Sequence, residues 1–149
     1  MFMGKHSEAL PLLNAAIGNL SKSAVTTTVV NYNTAFQGSP TIVNDLENVY
    51  AKNMIYSYAS ASNRLLWLTP EAAALYTAND QRFTRLYLST TFPNGLKLYK
   101  RTITGTYNIG LKVPELYLLR AEVKARLEDL PGAAADLLYL RQNRKPAAE

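Results

Sequence analysis

Cysteine is absent from this chain of 149 residues. Its absence excludes disulfide bridges, thiolate zinc sites and cysteine nucleophiles, and also a cysteine that could carry a lipid anchor. No apolar run approaches the roughly 20 residues that a membrane-spanning helix needs, and residues 1–6 are too short and too polar for a signal peptide. These absences predict that the chain by itself is soluble.

Histidine is also scarce, since His6 is the only one, and its place beside the N-terminus predicts no role for it. The sequence has no His, Asp and Glu at metal-ligand spacing and no glycine-rich phosphate loop. Glu115 and Glu122 could share a helix face as paired carboxylates. Glu122, however, is flanked by Arg120 and Arg126, a pattern typical of a structural ion pair. We therefore predict that the protein is not an enzyme and uses neither cofactor nor metal.

Acidic residues are fewer than basic ones, 11 against 16, and the formal charge is +5. A basic balance can serve nucleic acid or an anionic membrane surface. Here the cations are scattered, and only Arg141, Arg144 and Lys145 approach a cluster. We interpret the charge as an ordinary solvated surface and predict no nucleic-acid partner.

The hydrophobic content, 48%, is enough for the core of one domain. Apolar residues spaced by three and four predict a helix over 7–20, in which Pro11 is tolerable only in the first turn. Residues 22–110 read as a loop-rich segment with a short helix and a few strands. The predicted pieces are strands at 24–30 and 54–58, a helix at 70–76 begun by Thr69 and Pro70, a turn at 92–95 and an extended stretch at 96–99.

Residues 113–128 and 131–143 predict two helices joined by a short connection, which should therefore run antiparallel. Ala121 and Ala125 on the first helix, with 133–135 on the second, are small residues that would let the two helices approach closely. The hairpin is similar to half of a tetratricopeptide array, and one such repeat cannot bury its own apolar face. The predicted fold class is mainly α, with helical hairpins of tetratricopeptide-like type, long irregular loops and a few short strands.

The sequence VPELYLLRAEVKARLEDLPGAAADLLYLRQNR at 113–144 resembles the signature of the SusD/RagB family. The residues that match the family's two helices are Glu115, Tyr117, Leu118, Ala121 and Glu122 on the first, and Leu137, Leu140, Arg141 and Arg144 on the second. Upstream, LTPEAAALYTANDQRF (68–83) and LKLYKR (96–101) are similar to further family segments in the same order, and the helix at 7–20 resembles the end of a repeat helix.

Two departures from the family pattern are Val123, where a second alanine is usual, and Leu138, where asparagine is common. The family also has a longer chain, with a signal, an anchoring cysteine and further segments. We therefore expect residues 1–149 to be a single partial domain of this kind. The resemblance implies a surface-exposed lipoprotein of the outer membrane that captures a glycan and delivers it to a TonB-dependent, SusC-like transporter. Contact with the membrane would be only through a lipid anchor that this chain lacks.

A glycan site requires aromatic rings beside hydrogen-bonding side chains, because sugar C–H faces stack on rings and hydroxyl groups need polar partners. The candidate residues are Tyr56, Tyr58, Asn63, Arg64 and Trp67. The alternative, which we favour for Trp67 itself, is that it alternates with Leu65 into a core. Tyr76, Tyr117 and Tyr139 lie at helical spacing among leucines and are predicted core residues.

The alternative function is a helical-repeat scaffold that binds another protein and no small ligand. Such a scaffold would show further hairpins of similar length, and 22–110 does not supply them. In either case the apolar stripes of the terminal helix and the hairpin would lack a cover. We therefore expect exposed or interface positions at Leu10, Leu13, Ile17, Leu137 and Leu140.

Overall fold

The computed structural model describes residues 4–22, 27–34, 46–50, 53–54, 67–101, 107–108 and 110–146. The elements in chain order are α1 (His6–Asn19) with a 3-10 turn at Leu20–Lys22, β1 (Asn53–Met54), α2 (Pro70–Ala73), α3 (Gln81–Leu86), β2 (Tyr87–Thr91), β3 (Lys97–Arg101), β4 (Tyr107–Asn108), α4 (Val113–Arg126) and α5 (Leu130–Gln142). Helix predominates and the strands form small antiparallel pairs, so the mainly α prediction is confirmed. No helix in these ranges combines the length and the apolar character needed to cross a membrane.

The predicted hairpin is formed by α4 and α5. Glu115 accepts a hydrogen bond from the Lys112 amide (3.2 Å) at the start of α4, and Asp129 accepts one from the Gly132 amide (2.9 Å) at the start of α5. Between the helices Glu128 adopts a left-handed conformation with φ 64°. A Cβ atom at Gly132 would collide with the Asp129 carboxylate, so a larger residue there would make this capping side chain shift.

Cross-hairpin contacts show that the two helices are antiparallel. Tyr117 contacts Tyr139, Arg120 bonds Asp136, and Lys124 bonds the Gly132 carbonyl. The residue numbers of these partners rise along α4 and fall along α5. The helical hairpin predicted for 113–144 is thus confirmed, with bounds that differ by a residue or two.

The small residues that face the partner helix are Ala121 and Ala133, which are both buried. Ala125 is exposed, so its predicted role in the helix contact is wrong. Lys124 occupies the contact at that level, and Ala125 points about 100° away around the helix axis because it is one residue further on.

Helix α1 packs on α4, where Arg120 donates to the Asn14 side chain (3.1 Å). The predicted helix is confirmed, but Pro11 lies inside it rather than in its first turn. Because proline lacks an N–H group, the Ser7 carbonyl loses its helical partner there. No residue of α1 is fully buried, as expected of a helix that lacks a cover on one side.

The buried cluster near the hairpin consists of Val29, Val113 and Leu140, with Leu20 and Tyr117 against it. Leu140 was predicted to be exposed or at an interface, and this is wrong because the 27–34 segment covers it. Leu137, in contrast, is 49% exposed, as predicted. The other predicted interface leucines and isoleucine, on α1, are partly buried.

The β2–β3 hairpin confirms the predicted turn at 92–95 and the extended stretch after it. Its register runs from Tyr87 opposite Arg101 to Thr91 opposite Lys97, and Gly95 in the turn has φ 81°. The second pair, β1 and β4, joins Asn53 to Asn108 and Met54 to Tyr107.

Three of the predicted elements in the loop-rich segment differ from the structure or lie outside it. The strand predicted at 24–30 is wrong for residues 27–30, which have no strand structure, while 23–26 lie outside the described residues. Only Met54 of the strand predicted at 54–58 is described. The helix predicted at 70–76 stops at Ala73, although Thr69 caps it as expected by accepting from the Ala72 amide (3.3 Å).

Candidate functional site

Of the five candidate ligand residues, Tyr56, Tyr58, Asn63 and Arg64 lie outside the described residues. Trp67 is described and is partly buried, so it is neither a closed core residue nor a free surface ring. Its ring lies 5.7 Å from that of Phe92, centroid to centroid, with the planes tilted by 31°.

The neighbouring backbone fixes this aromatic pair against the β2–β3 hairpin. Leu68 and Tyr99 exchange two main-chain hydrogen bonds of 2.9 Å each, which hold Trp67 beside β3. Phe92 begins the turn between the strands, where Asn94 accepts from the Leu96 amide through its side-chain oxygen (3.1 Å). A ring pair and an amide side chain are therefore presented by the same turn region.

A second aromatic group lies along the same hairpin. Phe83 packs on Tyr76, Tyr87 and Tyr99, with centroid separations of 5.4, 6.0 and 5.1 Å.

Three tyrosines were predicted to be core residues. Tyr76 and Tyr117 are partly buried, while Tyr139 is 38% exposed, so the core prediction is wrong for Tyr139. Its ring covers Tyr117 from outside, at 4.9 Å.

Asp80 links this region to the helical hairpin. Its carboxylate is 1% exposed, accepts from the Arg82 amide (2.9 Å) at the start of α3, and forms a two-point ion pair with the Arg82 guanidinium. Burial raises the pKa of Asp80, but the hydrogen bonds and charge of Arg82, together with the charge of Lys145, outweigh it and hold the pKa below its usual value. The Gln81 amide donates to the Arg144 carbonyl (3.0 Å).

Arg144 and Glu47 form a buried ion pair at 2.5 Å, with both side chains less than a tenth exposed. The same carboxylate accepts from the Val30 amide (2.9 Å), and the guanidinium donates to the Val30 carbonyl and lies 4.0 Å from the centre of the Tyr32 ring. Each charge is thus matched by partners inside the protein. The pair locks the 27–34 and 46–50 segments onto the end of α5.

A third ionic cluster lies inside the helical hairpin. Asp136 accepts two hydrogen bonds from Arg120 (2.9 and 2.6 Å) and one from Lys124 (2.9 Å). Burial raises the pKa of Asp136, but these bonds and charges dominate, and the pKa lies below its usual value. The ion pair expected for Glu122 is confirmed with Arg126, at 2.9 Å on the exposed face, whereas Arg120, the other flanking cation, bonds Asp136 instead.

Two concave surfaces flank α4. An apolar groove of about 860 Å³ lies between α1 and α4, and its apolar lining includes Ala9, Leu12, Leu13, Ala16 and Leu119. A smaller cleft of about 320 Å³ lies at the other end of the hairpin. Its lining is Arg82, Pro114, Leu118, Leu137, Leu140, Arg141, Arg144 and Lys145.

The sequence indicated only part of this smaller cleft, because Arg82 is distant along the chain from the other cations. Across the described ranges, no group of three or more His, Asp or Glu side chains is arranged to hold a metal ion. Comparison with known proteins found no family model and no curated protein that matches the chain.

Proposed function

We propose that the protein is a non-catalytic nutrient-binding protein of the SusD/RagB type, which captures a glycan at the outer-membrane surface and passes it to a TonB-dependent transporter. The observation that carries the proposal is that two segments of the resemblance, 68–83 and 113–144, meet in space. The Gln81 amide in the first donates to the Arg144 carbonyl in the second, and the charge of Lys145, one residue beyond the second segment, lowers the pKa of Asp80. Motif residues that lie far apart in the chain thereby support one another.

The helices support the tetratricopeptide-like part of the proposal. Helix α1 packs against α4, the first helix of an antiparallel hairpin, as the last helix of a preceding repeat would. The groove between them is open, and Leu12 on its wall is 72% exposed. We propose that α1, α4 and α5 are one and a half repeats of such an array.

The proposed glycan surface centres on Trp67 and Phe92. Two tilted rings beside a turn offer the apolar faces on which sugar rings stack, and the Asn94 amide group is in the same turn. In the chain, Tyr56, Tyr58, Asn63 and Arg64 precede this pair, and we propose that they complete the surface.

Tryptophan fluorescence tests this directly, because Trp67 is the only tryptophan in the chain. Titration with neutral oligosaccharides, such as maltoheptaose, xylohexaose and mannohexaose, should shift or quench the emission for at least one of them. Phe92→Ala should weaken that binding by roughly twofold to tenfold, because a stacking contact on an aromatic ring contributes about 0.5–1.5 kcal/mol. Tyr139→Ala, which removes an exposed ring elsewhere, is the matched control and should bind normally.

A folded protein that shows neither an emission change nor heat of binding with any glycan would refute the proposal. So would turnover of an oligosaccharide that a single substitution abolishes, because the proposed protein only binds.

The open groove favours a second candidate function, a helical-repeat scaffold that binds another protein and no small ligand. In that case Leu12→Asp, on the groove wall, would abolish binding of a protein partner, and Phe92→Ala would leave it unchanged. Under the glycan proposal, Phe92→Ala weakens oligosaccharide binding and Leu12→Asp leaves it unchanged. The pair of variants therefore distinguishes the functions.

A further inference from the structure

The 320 Å³ cleft at the end of the helical hairpin has two chemically different halves. One half is apolar, from Pro114 and Leu118 of α4 and from Leu137 and Leu140 of α5. The other half is cationic and holds Arg82, Arg141, Arg144 and Lys145, and none of the described residues that line the cleft is acidic. Leu137 is 49% exposed and Leu118 is 50% exposed, so the apolar half is open to a ligand.

The cations are only partly neutralised by the protein. Asp80 matches Arg82, and Glu47 matches Arg144. Lys145, in contrast, forms no ion pair with any carboxylate of the described ranges. Arg82 donates hydrogen bonds to Asp80 from its Nε and from one terminal nitrogen, while its side chain remains 46% exposed. Within the described residues the second terminal nitrogen makes no hydrogen bond, so it can donate one to a ligand.

A helix C-terminus normally disfavours the binding of an anion, because its last carbonyl groups lack hydrogen-bond partners and carry partial negative charge. At the end of α5, each main-chain carbonyl from 140 to 145 accepts a hydrogen bond. Tyr32, Asn33 and Gln81, from other segments, supply donors to four of them. The negative end of this helix is therefore covered, and the side-chain cations determine the sign of the cleft.

We propose that this cleft is a binding site for a small carboxylate with an apolar body, whose charged group meets Lys145 and Arg82 while the body lies against Leu118 and Leu137. The volume is at the lower end of the usual range for small-molecule sites, about 300–1,000 Å³. A ligand of about ten heavy atoms fits it, whereas an oligosaccharide chain does not. The proposal is independent of the glycan surface at Trp67 and Phe92.

Phenylacetate is the probe, and acetate, sulfate and the neutral analogue phenylacetamide are its controls. Binding is followed by amide chemical-shift changes at constant ionic strength, because a ligand of this size binds at roughly millimolar concentration. The proposal expects phenylacetate to shift the amides of 137–145, and acetate, sulfate and phenylacetamide to bind at least about fivefold more weakly.

Two substitutions test the two halves separately. Lys145→Gln should weaken phenylacetate binding by about twofold to fivefold, the effect expected of one partly exposed ion pair. Leu137→Ala should weaken phenylacetate and leave the weak binding of acetate unchanged. Arg126→Gln removes the same charge from the far end of α4, about 18 Å along the helix axis from Pro114, and should have no effect.

Several outcomes overturn the proposal. Sulfate that binds as tightly as phenylacetate would mean a site for any anion, without recognition of the apolar body. Phenylacetamide that binds equally well would remove the role of charge. Absence of any shift at 137–145 in the folded protein, or equal weakening by Arg126→Gln and Lys145→Gln, would mean that no such site exists.

Discussion

Asp136→Ala should be one of the most destabilising substitutions on the surface between the two long helices. The carboxylate is the acceptor for both Arg120 and Lys124, and its removal leaves two cations facing an emptied buried position. Loss of one partner of a buried ion pair usually destabilises by about 3–5 kcal/mol. Arg120 and Lys124 are each 16% exposed and can turn partly toward water, so we expect about 2–4 kcal/mol here.

Urea unfolding followed by far-ultraviolet circular dichroism measures this loss as a lower midpoint at an unchanged slope. Glu122→Ala is the matched control, because it removes one carboxylate from the same hairpin at an exposed pair and should cost at most about 0.5 kcal/mol. Alanine is also a better helix former than aspartate, which works against the predicted loss. An Asp136→Ala midpoint equal to that of Glu122→Ala would refute the reasoning.

Three further predictions concern packing, the second buried pair and pH. Ala121→Trp should destabilise by about 1–3 kcal/mol in the same unfolding assay, since it overpacks the buried helix contact, whereas Ala125→Trp should change stability by less than about 0.5 kcal/mol. Arg144→Met should destabilise by about 3–5 kcal/mol, because it strands a buried carboxylate, and wild-type stability in this variant would contradict the assignment. Asp80 and Asp136 have lowered pKa values, so their stabilisation is present above the unfolded-state pKa near 4 and should be lost as the pH falls through the folded-state values. Urea midpoints at pH 7, 4 and 2.5 should therefore fall in that order, and the decline should be smaller in Asp136→Ala.

The helical hairpin could be predicted from the sequence because its determinants are local. Proline in each first turn, an acidic residue at each start and strong helix formers between them all act within a few residues. The turn at 92–95 and the cap at Thr69 were predictable for the same reason. Elements that are specified by residues close in the chain can be predicted without knowledge of the rest of the fold.

The side-chain partners were not predictable to the same degree. Arg120 has acidic neighbours on its own helix, yet it bonds Asp136, 16 residues away on the next one. Glu47 and Arg144 are 97 residues apart, and neither lies in a pattern that points to the other. Leu140 was misassigned because the 27–34 segment that covers it is irregular and has no periodicity to predict its path.

The sequence named Trp67 as a candidate ligand residue because aromatic and polar residues precede it in the chain, and that role stays a prediction. Its ring partner Phe92 was not named, because it lies in a turn that the sequence marks only as a chain reversal. The cleft beside α5 was missed because its cations come from two segments. Arg82 completes it only after the Asp80 cap has fixed the start of α3.

The end of α5 is the point at which three segments of the chain meet. Carbonyls of the last turn accept from the 27–34 segment and from α3, while Arg144 reaches Glu47. Among the described residues, the buried apolar cluster beside these segments holds three side chains, which is too few to specify their arrangement by itself. Polar contacts must therefore fix their arrangement, and such contacts require specific geometry where apolar contacts tolerate sliding. The same requirement gathers cations around the cleft, so the residues that hold the segments together also create the charged surface to which we assign a ligand.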